Sequence, residues 1–117
     1  MSPKVFTAPP PHLAAIAQQD RLSRAGSAIR AIVSQAISTI APERVYLFGS
    51  RATDTARPLS DIDLAFVVGE SGRWSEFATW VREEAPTLLD TDLVDLAQCD
   101  ARLREDVMRE GIVIYER

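Results

Sequence analysis

Hydrophobic residues recur at intervals of three and four along the first third of the chain. Between Leu13 and Ile40 this spacing predicts amphipathic helix, because such positions fall on one side of a helix. Gly26-Ser27 is a point at which the helix could divide in two, with Ser27 as the N-cap of the second part. Pro42 follows and marks the end of the helical segment.

Four short runs rich in strand-forming residues follow, at residues 45–48, 62–68, 92–96 and 112–115. Two further helices are predicted between them, over residues 74–85 before Pro86 and over residues 100–110 before Gly111. Trp74 and Phe77 could stack on a base, but a helix packed on a sheet explains them more simply. The alternation predicts an α/β fold with a mixed β-sheet of about four strands packed with helices.

The chain has 117 residues, the usual length of one domain. We expect a flexible N-terminal arm over residues 1–12, which contain Pro9-Pro10-Pro11, and one folded domain over residues 13–117. No apolar run approaches the roughly 18 residues that span a bilayer, and the first residues lack the hydrophobic centre of a signal peptide. We therefore predict a cytoplasmic protein without a membrane partner. The single cysteine, Cys99, excludes an internal disulfide and also favours the cytosol.

The charge of the chain is negative overall and unevenly placed. Residues 1 to 60 carry 7 Lys and Arg against 3 Asp and Glu, whereas residues 61 to 117 carry 6 against 14, for a net charge of -4. Binding to a nucleic-acid backbone depends on Lys and Arg displacing counterions from phosphates. The balance therefore argues against a long nucleic acid as partner.

Two aspartates precede and enter the second predicted strand, in the segment Ser60-Asp61-Ile62-Asp63-Leu64. Because side chains alternate along a strand, Asp61 and Asp63 project to the same side. Two carboxylates next to a hydrophobic strand repel each other and resist burial unless a cation binds them. Mg²⁺ is favoured, because it takes one or two protein carboxylates together with substrate phosphates. Two aspartates at this spacing, taken without any other motif, are otherwise explained as the solvated start of a strand.

A tight turn, Gly49-Ser50, closes the first strand and is predicted to open a brief helix. Its amides and the Ser50 hydroxyl suit phosphate oxygens, although Ser50 could equally be a plain N-cap. Arg51 would extend this anion site. On the third strand Asp92 can face the same cluster as Asp63, and Asp95 must then face the other way.

These segments together resemble one known family. Gly49-Ser50-Arg51-Ala52, then Ser60-Asp61-Ile62-Asp63-Leu64, then Asp92-Leu93-Val94 are similar to the motif of the minimal nucleotidyltransferases in the DNA polymerase beta superfamily. The resemblance covers about residues 27 to 117. It implies a nucleotidyltransferase fold in which Gly49, Ser50 and Arg51 bind the triphosphate of ATP or another nucleoside triphosphate. It also implies that Asp61, Asp63 and Asp92 are catalytic and bind two Mg²⁺ ions.

The resemblance further implies a partner and a reaction. Members of the antitoxin type pair with a HEPN-class toxin, so the expected activity is transfer of AMP to a hydroxyl on that protein. Minimal members often continue the turn as Gly-Ser-Arg-Ala-Arg-Gly, whereas this chain has Thr53 and Asp54 in the last two places. Two alternatives stay open: an antitoxin that acts by binding alone, and a nucleotidyltransferase for small molecules such as aminoglycosides.

Overall fold

The computed structural model describes residues 25–53, 55–57, 60–69 and 72–117. The predicted arm, residues 13–24 and Asp54 lie outside the described residues. The described part of the chain forms, in order, α1 (Ala25–Thr39), β1 (Arg44–Phe48), a 3-10 turn (Gly49–Arg51), β2 (Ile62–Val67), α2 (Trp74–Glu84), β3 (Thr91–Asp95), α3 (Ala101–Glu110) and β4 (Ile112–Glu116). Each predicted strand and each of the two later helices is confirmed to within one or two residues.

The strands form one mixed sheet in the order β3-β2-β1-β4. Strand β1 pairs antiparallel with β2 and β4, whereas β2 and β3 are parallel. A parallel pair needs a crossover connection, and α2 supplies it between β2 and β3. The α/β fold with a mixed sheet of about four strands is therefore confirmed.

Helix α1 is described from Ala25 onwards and already includes Gly26 and Ser27. Gly26 and Ser27 lie inside the helix and Gly26 is buried, so the prediction that Ser27 caps a second helix is wrong. Apolar residues at three and four residue spacing continue across this point, and the packing they provide outweighs the weak helix propensity of glycine. The helix ends where Ile40 N and Ala41 N both donate to Ala36 O.

The sheet is covered on both faces. The larger core lies between one face and helices α1 and α2, and its largest fully buried side chains include Ile29, Leu64, Phe66 and Phe77. Trp74 and Phe77 pack edge-to-face on Phe66, with ring centroids 5.6 and 5.3 Å away. These aromatic residues therefore belong to the core, as predicted, and do not form a base-stacking platform.

Helix α3 covers the opposite face. A smaller core there contains Tyr46, Ala65, Leu96 and Val107. The helix begins at a cap in which Asp100 Oδ1 accepts a hydrogen bond from Leu103 N at 2.8 Å. Within the described residues, no helix has both the length and the hydrophobicity needed to cross a bilayer.

Candidate active site

The register of the sheet brings two of the predicted carboxylates together. In the parallel pair of β2 and β3, Asp63 is the direct partner of Asp92. Directly paired residues on neighbouring strands share a face, so both side chains project to the α3 side of the sheet. Asp61 precedes β2 and is exposed to solvent. The common face predicted for Asp63 and Asp92 is confirmed.

Asp63 and Asp92 are near enough for their carboxyl groups to act on each other. Burial of Asp63 raises the pKa of its carboxyl group to about 6, and the nearby Asp92 carboxyl and the charge of Asp61 act in the same direction. The positive charge of Arg51 lowers this pKa and opposes the other effects. The site therefore carries crowded negative charge.

The predicted phosphate-binding turn lies close to this carboxylate pair at Gly49. In β1 the residue before it, Phe48, is the register partner of Asp63. Gly49 has a φ of 72°, in the left-handed region that favours glycine. A Cβ atom at this position would also overlap Asp63 Oδ2. Glycine is therefore required twice, once by the backbone conformation and once by the nearness of the carboxylate.

The helix predicted after this turn is only one 3-10 turn, Gly49–Arg51. Hydroxyl groups close it: Thr53 Oγ1 lies 3.3 Å from Gly49 O and 3.0 Å from Thr55 Oγ1. Thr55 N donates to Ser50 O at 3.0 Å. The first amides of a helical turn have no partner within that turn. Anion binding here would thus rely on local amides and the Ser50 hydroxyl, because one turn has almost no macrodipole.

Arg51 lies in the interior rather than on the surface. Its side chain is 3% exposed, and its Nη2 atom donates to Ser60 O at 2.7 Å and to Arg57 O at 3.5 Å. From the sequence motif we predicted that Arg51 contacts phosphate. No pattern in the sequence indicated that its side chain would be buried. Its part in nucleotide binding stays a prediction.

Asp95 and Cys99 lie outside the cluster. Asp95 pairs with Phe66 in the register, which places it on the face opposite Asp92, as predicted. Its Oδ1 atom accepts a hydrogen bond from Ala97 N at 2.9 Å. Cys99 is half-buried and its Sγ atom is 3.7 Å from Leu96 O, so it serves packing. Both residues have structural roles.

The carboxylates fit a magnesium ion. Across the described ranges, no three His, Cys, Asp or Glu side chains are grouped as a ready-made metal site. Mg²⁺ does not need such a group, because it keeps several waters and binds one or two protein carboxylates with substrate phosphates. Asp63 and Asp92, on directly paired strand positions and crowded with negative charge, provide such a donor pair. Asp61 is close enough for its charge to act on Asp63.

A cavity of about 620 Å³ opens beside the carboxylates, between α2 and the beginning of β3. Asp61 and Asp92 lie on its wall, whereas Val81 and Leu93 give it an apolar floor. Leu88, on the same wall, is fully exposed. Sequence reasoning missed this cavity, because its wall combines a helix, a loop and a strand that no single motif links.

Comparison with known proteins shows the family of this chain. Residues 30–117 match the family model described as polymerase beta, nucleotidyltransferase. The chain therefore belongs to the polymerase beta nucleotidyltransferase family, and its class is that of the nucleotidyltransferases. A comparison with curated proteins found no match.

Similarity to solved structures defines more closely which type of nucleotidyltransferase the chain is. A chain in a crystal structure of a toxin-antitoxin with AMP-PNP is similar, with 27% identity, a TM-score of 0.60, and coverage of 74% of this chain and 71% of that chain. A chain of the toxin-antitoxin MntA-HepT has 25% identity, a TM-score of 0.55, and coverage of 77% and 71%. A complex of tri-AMPylated Shewanella oneidensis HEPN toxin with MNT antitoxin has 23% identity, a TM-score of 0.57 and coverage of 77% and 71%, and supports the fold alone. With the family match, these similarities identify the chain as a minimal nucleotidyltransferase, as the sequence predicted.

Proposed function

We propose that this chain transfers AMP from ATP to a hydroxyl group on a partner protein. The observation that carries the proposal is the pair of carboxyl groups, Asp63 and Asp92, on directly paired strand positions beside the Gly49 turn in a member of this family. The AMP-PNP present with a similar chain supports ATP as the nucleotide. The reaction would take place in the cytoplasm, where the sequence predicts the protein to be.

Each residue of the site would have a separate role in binding the metal ions or the triphosphate. Asp61, Asp63 and Asp92 would hold two Mg²⁺ ions, which neutralise charge on the triphosphate and lower the pKa of the attacking hydroxyl when bound. Gly49 allows the backbone to approach the phosphates, and the Ser50 hydroxyl donates to a phosphate oxygen. Arg51 adds positive charge from the interior.

The reaction breaks one phosphorus–oxygen bond and forms another. The acceptor oxygen forms a bond to the α-phosphorus, the bond to the bridging oxygen of pyrophosphate breaks, and pyrophosphate leaves. Asp92 accepts the proton of the acceptor hydroxyl. No covalent link between the enzyme and the nucleotide is needed.

The acceptor would approach through the cavity beside Asp61 and Asp92. Asp61 and Asp92 lie on the wall of this cavity, and its apolar floor suits a side chain with an apolar body and a terminal hydroxyl. The similar chains at 27% and 25% identity come from toxin-antitoxin complexes, which supports a HEPN-class toxin as the partner. The net charge of -4 continues to disfavour a long nucleic acid.

A second candidate is an antitoxin that blocks its toxin by binding, with little or no catalysis. Thr53 favours it, because the family pattern often has arginine there and this side chain instead closes the turn through Gly49 O. Loss of a cation near the phosphates could cost on the order of 1 kcal/mol of nucleotide affinity.

The deciding experiment uses the purified chain, the product of the neighbouring gene, Mg²⁺ and α-labelled ATP. We expect mass spectrometry to show one or more AMP groups on the partner, and none with the Asp63→Asn variant. Asp95→Asn is the matched control, because Asp95 lies on the other face of the sheet. Silencing of an unmodified partner would favour the binding candidate. Label on an aminoglycoside or an RNA end would show that the acceptor is wrong and leave the transfer chemistry standing.

A further inference from the structure

Arg51 is a charged side chain in the protein interior. With 3% of its surface exposed, it is the one charged residue classed as buried in the part of the chain that the structure describes. Taking a charge out of water is costly unless hydrogen bonds and opposite charge compensate. Part of the compensation comes from backbone, because Nη2 donates to Ser60 O at 2.7 Å and to Arg57 O at 3.5 Å, and the charge of Arg51 also acts on the Asp63 carboxyl.

The two carbonyl groups belong to the turn that leads into the carboxylates. Arg57 N donates to Ser60 Oγ at 2.8 Å, and Ser60 N donates to Arg57 O at 3.0 Å, so Arg57 and Ser60 close the turn on each other. The Ser60 carbonyl that Arg51 holds is part of the peptide group joining Ser60 to Asp61. One residue later, Ile62 N donates to Asp90 O at 2.9 Å, which starts the pairing of β2 with β3.

The same arginine begins at the phosphate turn. Arg51 is the last residue of the 3-10 turn Gly49–Arg51, and Gly49 is in contact range of Asp63. Its side chain therefore ties the Gly49-Ser50 turn to the backbone before Asp61. A change in either segment would be transmitted to the other through this guanidinium group.

We propose that Arg51 is a positioning residue that fixes the Asp61 and Asp63 carboxylates relative to the Gly49-Ser50 turn, instead of contacting the triphosphate. This inference rests on the proposed function for its catalytic meaning. The physical basis is that Nη2, fixed in the plane of a rigid guanidinium group, donates to both carbonyl oxygens. A lysine keeps the charge but carries it on a flexible stem without this planar group, so it should hold the carbonyls less firmly.

The test compares Arg51→Met, which keeps most of the volume, with Arg51→Lys, which keeps the charge. The matched control is Arg102→Met on the exposed surface of α3. Amide hydrogen exchange, without nucleotide or metal, is followed at Ser60 and Ile62. ATP affinity is measured in EDTA, and kcat and KM are measured with Mg²⁺ and the partner.

We expect amide exchange at Ser60 and Ile62 to accelerate about tenfold in both Arg51 variants and to stay unchanged in the control. Metal-free ATP affinity should stay within about twofold of the wild type in Arg51→Lys, because the charge is kept and no direct contact is lost. A displacement of the carboxylates should lower kcat by about tenfold or more. Failure of Arg51→Lys to restore kcat would show that geometry, and not charge alone, is required.

Several results would overturn the inference. Unchanged exchange at Ser60 and Ile62 together with metal-free ATP binding about tenfold weaker would make Arg51 a direct phosphate ligand. Loss of exchange protection across β1 and β4 as well would assign Arg51 to global stability. If the wild-type chain transfers no AMP at all, the proposed function fails, whereas the exchange results still decide whether Arg51 positions the turn.

Discussion

Replacing Asp63 with asparagine should stabilise the metal-free protein at neutral pH. The wild-type carboxyl is partly buried and lies near Asp92 and Asp61, and its pKa is raised from 3.8 to about 6. An asparagine has almost the same shape but no charge, and its amide can donate a hydrogen bond to the Asp92 carboxylate. The substitution thus removes repulsion while it keeps the contact.

The size of the effect follows from the pKa. The difference between 3.8 and about 6 corresponds to about 3 kcal/mol as an upper bound, and to about 1–2 kcal/mol once solvent screening of this half-buried site is included. For a domain of this size, that predicts a rise in Tm of about 5–10 °C for Asp63→Asn at pH 7.5.

The sign of the pH dependence can be worked out. Because the folded state holds the Asp63 proton more tightly than the unfolded chain does, this group lowers the free energy of unfolding as the pH rises from 3.8 to about 6. Above that range its contribution is constant. The gap between variant and wild type should therefore shrink to about half at pH 5.

The measurement is thermal unfolding followed by circular dichroism in EDTA at pH 7.5 and pH 5. Asp95→Asn is the control, because the asparagine oxygen can still accept from Ala97 N, and it should change stability by less than about 0.5 kcal/mol. A lower Tm for Asp63→Asn at pH 7.5, or a gap that does not depend on pH, would refute the reasoning. Addition of Mg²⁺ and ATP should then stabilise the wild type and not the variant.

Three further substitutions test separate parts of the site. Gly49→Ala should lower stability by about 2–4 kcal/mol in thermal unfolding, because alanine is strained at this φ and its Cβ overlaps Asp63, and a neutral result would contradict the described turn. Ser50→Ala should weaken ATP binding in the presence of Mg²⁺ by about 1 kcal/mol in titration calorimetry, and unchanged affinity would remove Ser50 from the phosphate site. Leu88→Ala should leave the Tm unchanged but weaken partner binding by about 1–2 kcal/mol. Met108→Ala, also at an exposed position, should change neither the Tm nor partner binding, and equal effects of the two substitutions on partner binding would exclude Leu88 from the acceptor surface.

Sequence periodicity predicted most of this fold because the elements are strongly patterned. Strand parity alone placed Asp92 beside Asp63 and Asp95 on the opposite face, and the register confirms both. Parity works here because alternation along a strand is a geometric property that tertiary packing does not alter. The N-cap predicted at Ser27 failed because local propensity is weaker than the burial of the apolar face that Ala25, Ala28 and Ile29 share.

The interior position of Arg51 could not be predicted from its sequence neighbours. Its burial depends on the segment around Arg57 and Ser60 folding back over it, and no local pattern encodes that contact. The cavity beside Asp61 and Asp92 has the same origin, since α2 and β3 form it only after the crossover is made. Features that need two distant segments to meet are therefore the ones that the structure adds.

The crowding at Asp63 links stability to ligand binding. Burial and the charges of Asp92 and Asp61 disfavour the ionised Asp63 carboxyl, whereas the charge of Arg51 favours it only in part. The ionised Asp63 carboxyl lowers the stability of the folded protein, and a cation that binds it relieves this loss. The metal-free domain should therefore be less stable than its core alone would make it, and nucleotide with Mg²⁺ should recover the difference. The same arrangement explains why an uncharged side chain at residue 63 would improve the fold while removing the donor on which the proposed transfer depends.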